Sequence, residues 1–272
     1  MSAPKALVLR AAGSNCDRET ASALELAGAV AERVHVNRLL EQDDAASALD
    51  AYDLLAIPGG FTYGDDLGAG RILGGILSRG LDEAIERLVA RGGLVIGICN
   101  GFQVLVRAGL LPGPGVLGEG AHATLAQNRS GKFEARWARL RVETDRSPWL
   151  TKGEVLDLPV AHAEGRLALS PGATLPEDHV ALRYLEPSDG AAGVAGTAGT
   201  TPASYPANPA GSLEGVAGLI DSTGRILGLM PHPERNVAPW HRPGWTRQTG
   251  EGASGPSVGL RVFQSAVDYL KG

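Results

Sequence analysis

The hydrophobic pattern of the first hundred residues alternates between continuous apolar runs and segments with helical spacing. The apolar runs predict strands over residues 5–10, 34–36, 53–57 and 94–98. The helical spacing predicts helices over residues 18–26 and around Leu81, Ile85 and Leu88. Because continuous apolar strands alternate with helices, this half of the chain indicates a parallel sheet with helices on both faces.

The pattern changes after about residue 120, where apolar and charged residues alternate, as in 133–142. Further strands are predicted over 155–160, 179–185, 215–220 and 225–230, and a last helix over 258–270. Strands without long intervening helices favour an antiparallel extension of the same sheet. The Gly/Ala/Thr/Pro-rich residues 186–212 predict a flexible exposed loop inserted into a single domain spanning 1–272.

Composition narrows the classes of partner. The chain carries 25 Lys+Arg against 30 Asp+Glu, a net charge of −5, which does not favour nucleic acid. Its two cysteines are too few for a disulfide framework or a four-cysteine zinc site, and its six histidines lack metal-ligand spacing. No apolar stretch suits a membrane span or a signal peptide, so we expect a cytoplasmic protein with no metal and no membrane partner.

The most distinctive local feature is LVIGICNGFQVLV at 94–106, where a strand pattern runs into a helix pattern at Cys99. Gly97 and Gly101 lie two positions before and after the cysteine. This is the spacing of a nucleophile elbow, a sharp turn that exposes the central side chain at the carboxyl end of a sheet. The positive end of the following helix favours a thiolate there. We predict that Cys99 is a nucleophile; the alternative is an inert buried cysteine.

A base for this nucleophile is predicted in MPHPER at 230–235, directly after an apolar run. In an extended chain, residues two apart point to the same side, and flanking prolines favour that geometry, so His232 and Glu234 would lie together. The imidazole could then accept the thiol proton while the carboxylate orients the ring. The alternative is a surface or core histidine without a catalytic role.

A third element is IPGGFTYGD at 57–65, which ends a strand with Pro-Gly-Gly. The backbone N–H groups of Gly59 and Gly60, together with that of Asn100 just after the nucleophile, predict donors for a developing oxyanion. A simple tight turn would use the same residues. The oxyanion interpretation gains support because carboxyl ends of parallel strands meet at one sheet edge.

Other signals are weaker. GPGVLG at 113–118 has dinucleotide-binding spacing but follows a helix and contains Pro114, and GKF at 131–133 does not complete a phosphate-binding loop. We therefore expect no cofactor in this chain. Cys16 precedes a helix but lacks the flanking glycines, so we expect it to be incidental to catalysis.

Together these motifs resemble those of class I (triad) glutamine amidotransferases, on GICNGFQ at 97–103 and PHPE at 231–234. Within that class the chain is similar to the glutaminase subunits of phosphoribosylformylglycinamidine synthases. That similarity rests on GSNCDRET at 13–20, PGGFTYGDDLGAG at 58–70, NRSGKFEARW at 128–137, PVAHAEGR at 159–166, YPANPAGS at 205–212 and GLMPHPER at 228–235. It covers nearly the whole chain and implies a flavodoxin-like α/β fold with a mostly parallel central sheet.

The resemblance also implies roles for individual residues. Cys99 would be the nucleophile, His232 the general base and acid, Glu234 its orienting group, and the amides of Gly60 and Asn100 the oxyanion donors. Gln103 would contact the substrate L-glutamine. His162 and Glu164 belong to the pattern, but we assign them no catalytic role.

The implied reaction is hydrolysis of L-glutamine to glutamate and ammonia in purine biosynthesis. Amination of a formylglycinamide ribotide with that ammonia needs ATP, for which this chain has no motif. The resemblance therefore implies a separate synthetase subunit that holds ATP and magnesium, with a small third subunit as a further partner.

Two departures from the family pattern and three rival functions accompany this interpretation. The family typically has NPNGS where this chain has Ala210 in NPAGS, so a contact of that side chain is in doubt, and the preceding Gly/Ala/Thr-rich stretch resembles an insertion. The rivals are a glutaminase of another pathway, a cysteine peptidase or chaperone of the same fold, and a non-catalytic interaction module. Peptidases and chaperones of this kind commonly have His after the cysteine, and Asn100 disfavours them.

Overall fold

The computed structural model describes residues 2–42, 44–186, 203–247 and 257–272. Its strands are β1 Lys5–Arg10, β2 Val30–His35, β3 Leu54–Ile57, β4 Leu94–Ile98, β5 Ala123–Ala126, β6 Glu134–Val142, β7 Val155–His162, β8 Arg166–Leu169, β9 Val180–Tyr184, β10 Val216–Ile220 and β11 Ile226–Leu229. Its α-helices are α1 Asp17–Leu26, α2 Val36–Leu40, α3 Arg71–Gly80, α4 Asp82–Ala90, α5 Asn100–Arg107 and α6 Val258–Lys271. None of the helices in these residues is long and apolar enough to cross a bilayer.

Nine strands form one mixed sheet in the order β2-β1-β3-β4-β11-β10-β9-β6-β7. Pairing is parallel from β2 to β11 and antiparallel from β11 to β7. Every residue of β3, β4, β10 and β11 is buried, as expected for strands covered on both faces. The predicted parallel sheet with an antiparallel extension is confirmed. The separate two-stranded sheet of β5 and β8 was not predicted.

Helices cover both faces because the crossovers run in two directions. The connection through α1 leads from β1 outward to β2, whereas α3 and α4 lead from β3 inward to β4. Right-handed crossovers in opposite directions lie on opposite faces of a sheet. Accordingly, α1 contacts α6, while α3 contacts α4 and α5.

The antiparallel half of the sheet curls back toward the parallel half. In sheet order β7 is four strands from β11, which would be about 19 Å in a flat sheet. Nevertheless the Pro159 carbonyl of β7 accepts a hydrogen bond at 2.8 Å from the N–H of His232, just after β11. Strong coiling of the sheet therefore brings its last strand to the edge where the predicted catalytic residues lie.

Helix α3 and the start of β2 differ from the sequence expectations. Helix α3 was not predicted because it contains Gly74, Gly75 and Gly80, and glycine is a weak helix former. β2 begins at Val30 rather than at residue 34, since Glu32 and Arg33 interrupt the apolar run of this exposed edge strand.

The predicted flexible loop 186–212 is only partly within the described residues, since 187–202 lie outside them. Its end does not form an exposed loop. Asn208 and Ser212 are buried and exchange two hydrogen bonds of 2.9 and 3.0 Å. Ala210 is fully buried, and its carbonyl accepts from the Arg129 N–H at 2.9 Å. The NPAGS turn is therefore part of the packed structure, and the expectation of an exposed loop is wrong there.

Helix α3 offers a matched pair of glycines for a stability test. A Cβ on Gly74 would lie 2.7 Å from the Cβ of Arg107 in α5, whereas a Cβ on Gly75 would meet only the flexible end of Arg79 at 3.3 Å. We expect Gly75→Ala to raise the free energy of unfolding by about 0.5–1 kcal/mol through helix propensity. Gly74→Ala should lower it by about 1–3 kcal/mol through overpacking. Urea denaturation of both variants checks this, and equal stability of the two would contradict the close packing of α3 on α5.

Candidate active site

Cys99 lies at the turn between β4 and α5. Its φ of 53° and ψ of −102° are rare for a residue with a side chain. Its N–H donates to the Leu229 carbonyl of the neighbouring strand at 2.8 Å, which holds the turn. Gly101 is needed because a Cβ there would be 1.9 Å from the Ile57 carbonyl oxygen. The cysteine is 5% exposed, and its Sγ lies 3.6 Å from the Ala161 carbonyl. The predicted turn is present, but the cysteine side chain is buried rather than exposed.

His232 and Glu234 form a buried pair. His232 Nδ1 lies 2.7 Å from Glu234 Oε1, and the two residues are 1% and 2% exposed. The predicted proximity is present, but the extended chain predicted for it is wrong. Pro233–Arg235 form one turn of 3₁₀ helix, since proline is well suited to a first helical turn, and this turn brings the carboxylate back to the ring. His232 Nε2 has no hydrogen-bond partner within the described residues.

The nucleophile and the imidazole meet because their strands are parallel neighbours. Ile98 of β4 pairs with Leu229 of β11, so Cys99 and His232 leave the sheet at the same edge. Burial alone would lower the pKa of His232, but the Glu234 carboxylate and the thiols of Cys99 and Cys16 together raise it well above its ordinary value. An imidazole with this pKa holds a proton beside the thiol, which favours a thiolate–imidazolium pair.

Hydrogen bonds join the two segments that carry the predicted oxyanion donors, Gly60 and Asn100. Asn100 is the first residue of α5, where a backbone N–H has no partner within its helix. Its side-chain Oδ1 accepts from the N–H of Thr62 at 3.2 Å and from the Thr62 hydroxyl at 2.7 Å. Thr62 follows Gly60 by two residues, and the intervening Phe61 N–H is bonded to the Gly13 carbonyl at 3.0 Å. The arrangement ties the Gly60 loop to the start of α5.

The Gln103 amide is engaged within the protein. Its Oε1 accepts from Asn100 Nδ2 at 3.0 Å, and its Nε2 donates to the Glu164 carbonyl at 2.6 Å. The Glu164 carboxylate in turn accepts from the N–H of Ala69 at 3.0 Å. A primary amide has one more N–H and one more lone pair, so substrate contact by Gln103 stays a prediction that would use these. In the structure it joins the first turn of α5 to the turn after β7.

His162 lies close to the site but is poorly suited to act as a base. It is buried, and its Nδ1 lies 3.0 Å from Asn128 Oδ1. Burial, together with the nearby His232, lowers its pKa to about 4. Sequence reasoning assigned no role to Asp65, whose pKa is raised by burial and by the neighbouring carboxylates of Glu164 and Asp66.

Cys16, to which the sequence assigned no catalytic role, lies against the His232–Glu234 pair. Its Sγ, a ring nitrogen of His232 and a carboxylate oxygen of Glu234 are all within 4.8 Å of one another. Arg235 Nη2 donates to the sulfur at 2.9 Å. One signal could have found it: Cys16 follows β1, whose carboxyl end lies at the same sheet edge as those of β3 and β4.

Cys16, His232 and Glu234 are residue types that bind zinc. The geometry describes a hydrogen-bonded cluster instead. The 2.7 Å contact between His232 and Glu234 is a direct hydrogen bond, shorter than the separation of two ligands around one metal ion. The Arg235 guanidinium on the sulfur also supplies a positive charge of its own.

Comparison with known proteins agrees with this geometry. A family model described as a CobB/CobQ-like glutamine amidotransferase domain matches residues 3–270. The chain therefore belongs to this family and is a glutamine amidotransferase.

Two named relatives and one solved structure are similar to this chain over nearly its whole length. The phosphoribosylformylglycinamidine synthase subunit PurQ of Dehalococcoides mccartyi is 45% identical over 100% of this chain and 99% of its own length. The same-named subunit of Treponema denticola is 41% identical over 98% of this chain and 99% of its own. The solved structure of PurLQS from Thermotoga maritima superposes with a TM-score of 0.68 at 33% identity, covering 98% of this chain and 99% of that one.

The His232–Glu234 pair predicts a pH effect. Glu234→Gln removes the charge that raises the pKa of His232, so the imidazolium that would pair with a Cys99 thiolate is lost at lower pH. We expect the pH midpoint of Cys99 alkylation, measured by peptide mass spectrometry, to rise by about one unit. As a control, Glu177→Gln removes an exposed carboxylate that is paired with Arg183 and should leave the midpoint in place. An unchanged midpoint in the Glu234 variant would rule out this coupling.

Proposed function

We propose that this chain is the glutaminase subunit of a phosphoribosylformylglycinamidine synthase in purine biosynthesis. It hydrolyses L-glutamine to glutamate and ammonia. A synthetase subunit then uses the ammonia with ATP to convert formylglycinamide ribotide to formylglycinamidine ribotide. The observation that carries the proposal is the strained Cys99 turn beside the buried His232–Glu234 pair, in a chain matched from end to end by PurQ relatives.

In the first half of the proposed reaction, the Cys99 thiolate attacks the side-chain amide carbon of glutamine. The carbonyl electrons move to oxygen, and the backbone N–H groups of Gly60 and Asn100 stabilise this oxyanion. As the intermediate collapses, the C–N bond breaks and His232 gives its proton to the departing nitrogen. Ammonia leaves, and a glutamyl thioester remains on Cys99.

The second half hydrolyses the thioester. Neutral His232 takes a proton from water as the oxygen attacks the thioester carbon, and the same two amides hold the second oxyanion. The C–S bond then breaks, which releases glutamate and restores the Cys99 thiolate beside protonated His232. Glu234 keeps Nδ1 protonated throughout, so that Nε2 is the nitrogen that exchanges protons.

The partners and the location follow from the same chemistry. We propose a synthetase subunit that holds ATP and magnesium, and a small third subunit, in keeping with the name PurLQS of the similar solved assembly. A reducing cytoplasm suits a mechanism that depends on a free Cys99 thiol, and both cysteines of the chain are free.

A reconstitution experiment tests this function. We expect the isolated chain to be a poor glutaminase and to be activated when mixed with the synthetase subunit encoded in the same organism. The mixture should convert formylglycinamide ribotide with either glutamine or ammonium salt, measured by ADP and product formation.

The matched control is Cys99→Ser, which should still bind the synthetase and leave the ammonium-dependent reaction intact while abolishing the glutamine-dependent one. Binding without any glutamine-dependent product in the unaltered mixture would indicate a non-catalytic module. Glutamine hydrolysis without use of the ribotide would indicate another pathway.

A further inference from the structure

The buried carboxylate of Glu234 is only half satisfied. Its Oε1 bonds to His232, whereas its Oε2 is buried without a hydrogen-bond partner in the described part of the chain. The guanidinium of the next residue, Arg235, is the obvious donor, because arginine binds carboxylates in preference to neutral acceptors. Instead Arg235 Nη2 donates to the sulfur of Cys16 at 2.9 Å.

The sulfur is held in place by its backbone. The Cys16 N–H donates to the Gly59 carbonyl at 3.1 Å, and its carbonyl accepts from the Thr20 N–H at 3.0 Å and from the Thr20 hydroxyl at 2.8 Å. Gly59 fits between the two side chains, since a Cβ on it would be 2.8 Å from His232 Cε1 and 3.3 Å from the sulfur. Cys16 is therefore a fixed acceptor at the edge of the imidazole, 2% exposed.

We propose that Cys16 is a positioning residue that holds the Arg235 guanidinium away from Glu234. The Glu234 carboxylate then hydrogen-bonds to His232 and not to Arg235. The inference rests on the proposed glutaminase chemistry of Cys99. Without the sulfur, the guanidinium turns to the unpaired Glu234 Oε2, and the carboxylate charge is then shared between the arginine and the imidazole.

The consequence concerns the proton on His232. The charged or titratable groups that face it are Glu234 and Arg235 from its own turn, Cys99 after β4, Cys16 before α1 and His162 at the end of β7. Of these, Glu234 is the principal negative group, and a guanidinium bonded to it weakens its effect. The imidazolium that would pair with a Cys99 thiolate is then lost at lower pH.

Two variants of Cys16 isolate this effect. Cys16→Ser keeps a hydroxyl acceptor for Arg235, whereas Cys16→Ala removes it. The chain has two cysteines, so Cys99 is the only thiol in both variants, and its alkylation by iodoacetamide can be followed against pH without interference. A third protein, Cys16→Ala combined with Arg235→Gln, removes the guanidinium that the alanine would release.

We expect the alkylation midpoint of Cys16→Ala to lie about one pH unit above that of Cys16→Ser. The double variant should return to within a few tenths of a unit of Cys16→Ser. In the complex with the synthetase, the alkaline limb of the glutaminase pH profile should also move to lower pH in Cys16→Ala, with kcat falling and KM unchanged. If Cys16 were purely structural, Cys16→Ala would lower the denaturation midpoint, which is measured in parallel. The alkylation midpoint and the alkaline limb of the pH profile would then stay in place.

Two results overturn the inference: equal alkylation midpoints in the alanine and serine variants, or a double variant that behaves like Cys16→Ala. Both are distinct from failure of the proposed function. That failure would appear as absent glutamine hydrolysis by the unaltered complex, while the alkylation of Cys99 would still report how Cys16 acts on His232.

Discussion

The site depends on the hydrogen bond from the Cys99 N–H to the Leu229 carbonyl, which joins the ends of β4 and β11. It holds the cysteine backbone in a rare conformation at the point where two parallel strands end side by side. The strained turn places the buried sulfur at the sheet edge, and the same strand pair carries His232 to that edge. A one-residue shift of β4 against β11 would separate the thiol from the imidazole, so the register of the buried sheet determines whether the site exists.

A network of side-chain amides organises the loops around this point. Thr62, Asn100, Gln103 and Glu164 are joined in series by hydrogen bonds of 2.6–3.2 Å. They connect the loop after β3, the first turn of α5 and the turn after β7. Because each amide has partners on both sides, this hydrogen-bonded series of side chains sets the positions of the backbone groups expected to face an oxyanion.

Most of the parallel half and the main candidate residues could be predicted from sequence, because the signals are local. Cys99 has its glycines two positions away, and the fully apolar β3 and β4 have a clear strand pattern. The missing features depend on distant parts of the chain. Helix α3 has too many glycines for a helix signal, yet Gly74 is what lets it approach α5. Cys16 gains its importance from Arg235, a contact across 219 positions that no local pattern encodes.

The curl of the sheet that returns β7 to the site affects the order in which the protein can be assembled during synthesis. Cys99 lies within the first hundred residues, but the groups that hold its turn and surround its sulfur do not. Pro159 and Ala161 of β7 and the His232–Glu234 pair emerge much later, and α6 packs against the His232 turn only at the end of the chain. Contacts this distant in sequence form late in folding. A ribosome-bound chain therefore carries Cys99 without its base, and the cysteine acquires that base only after residues 100–232 have also been synthesised.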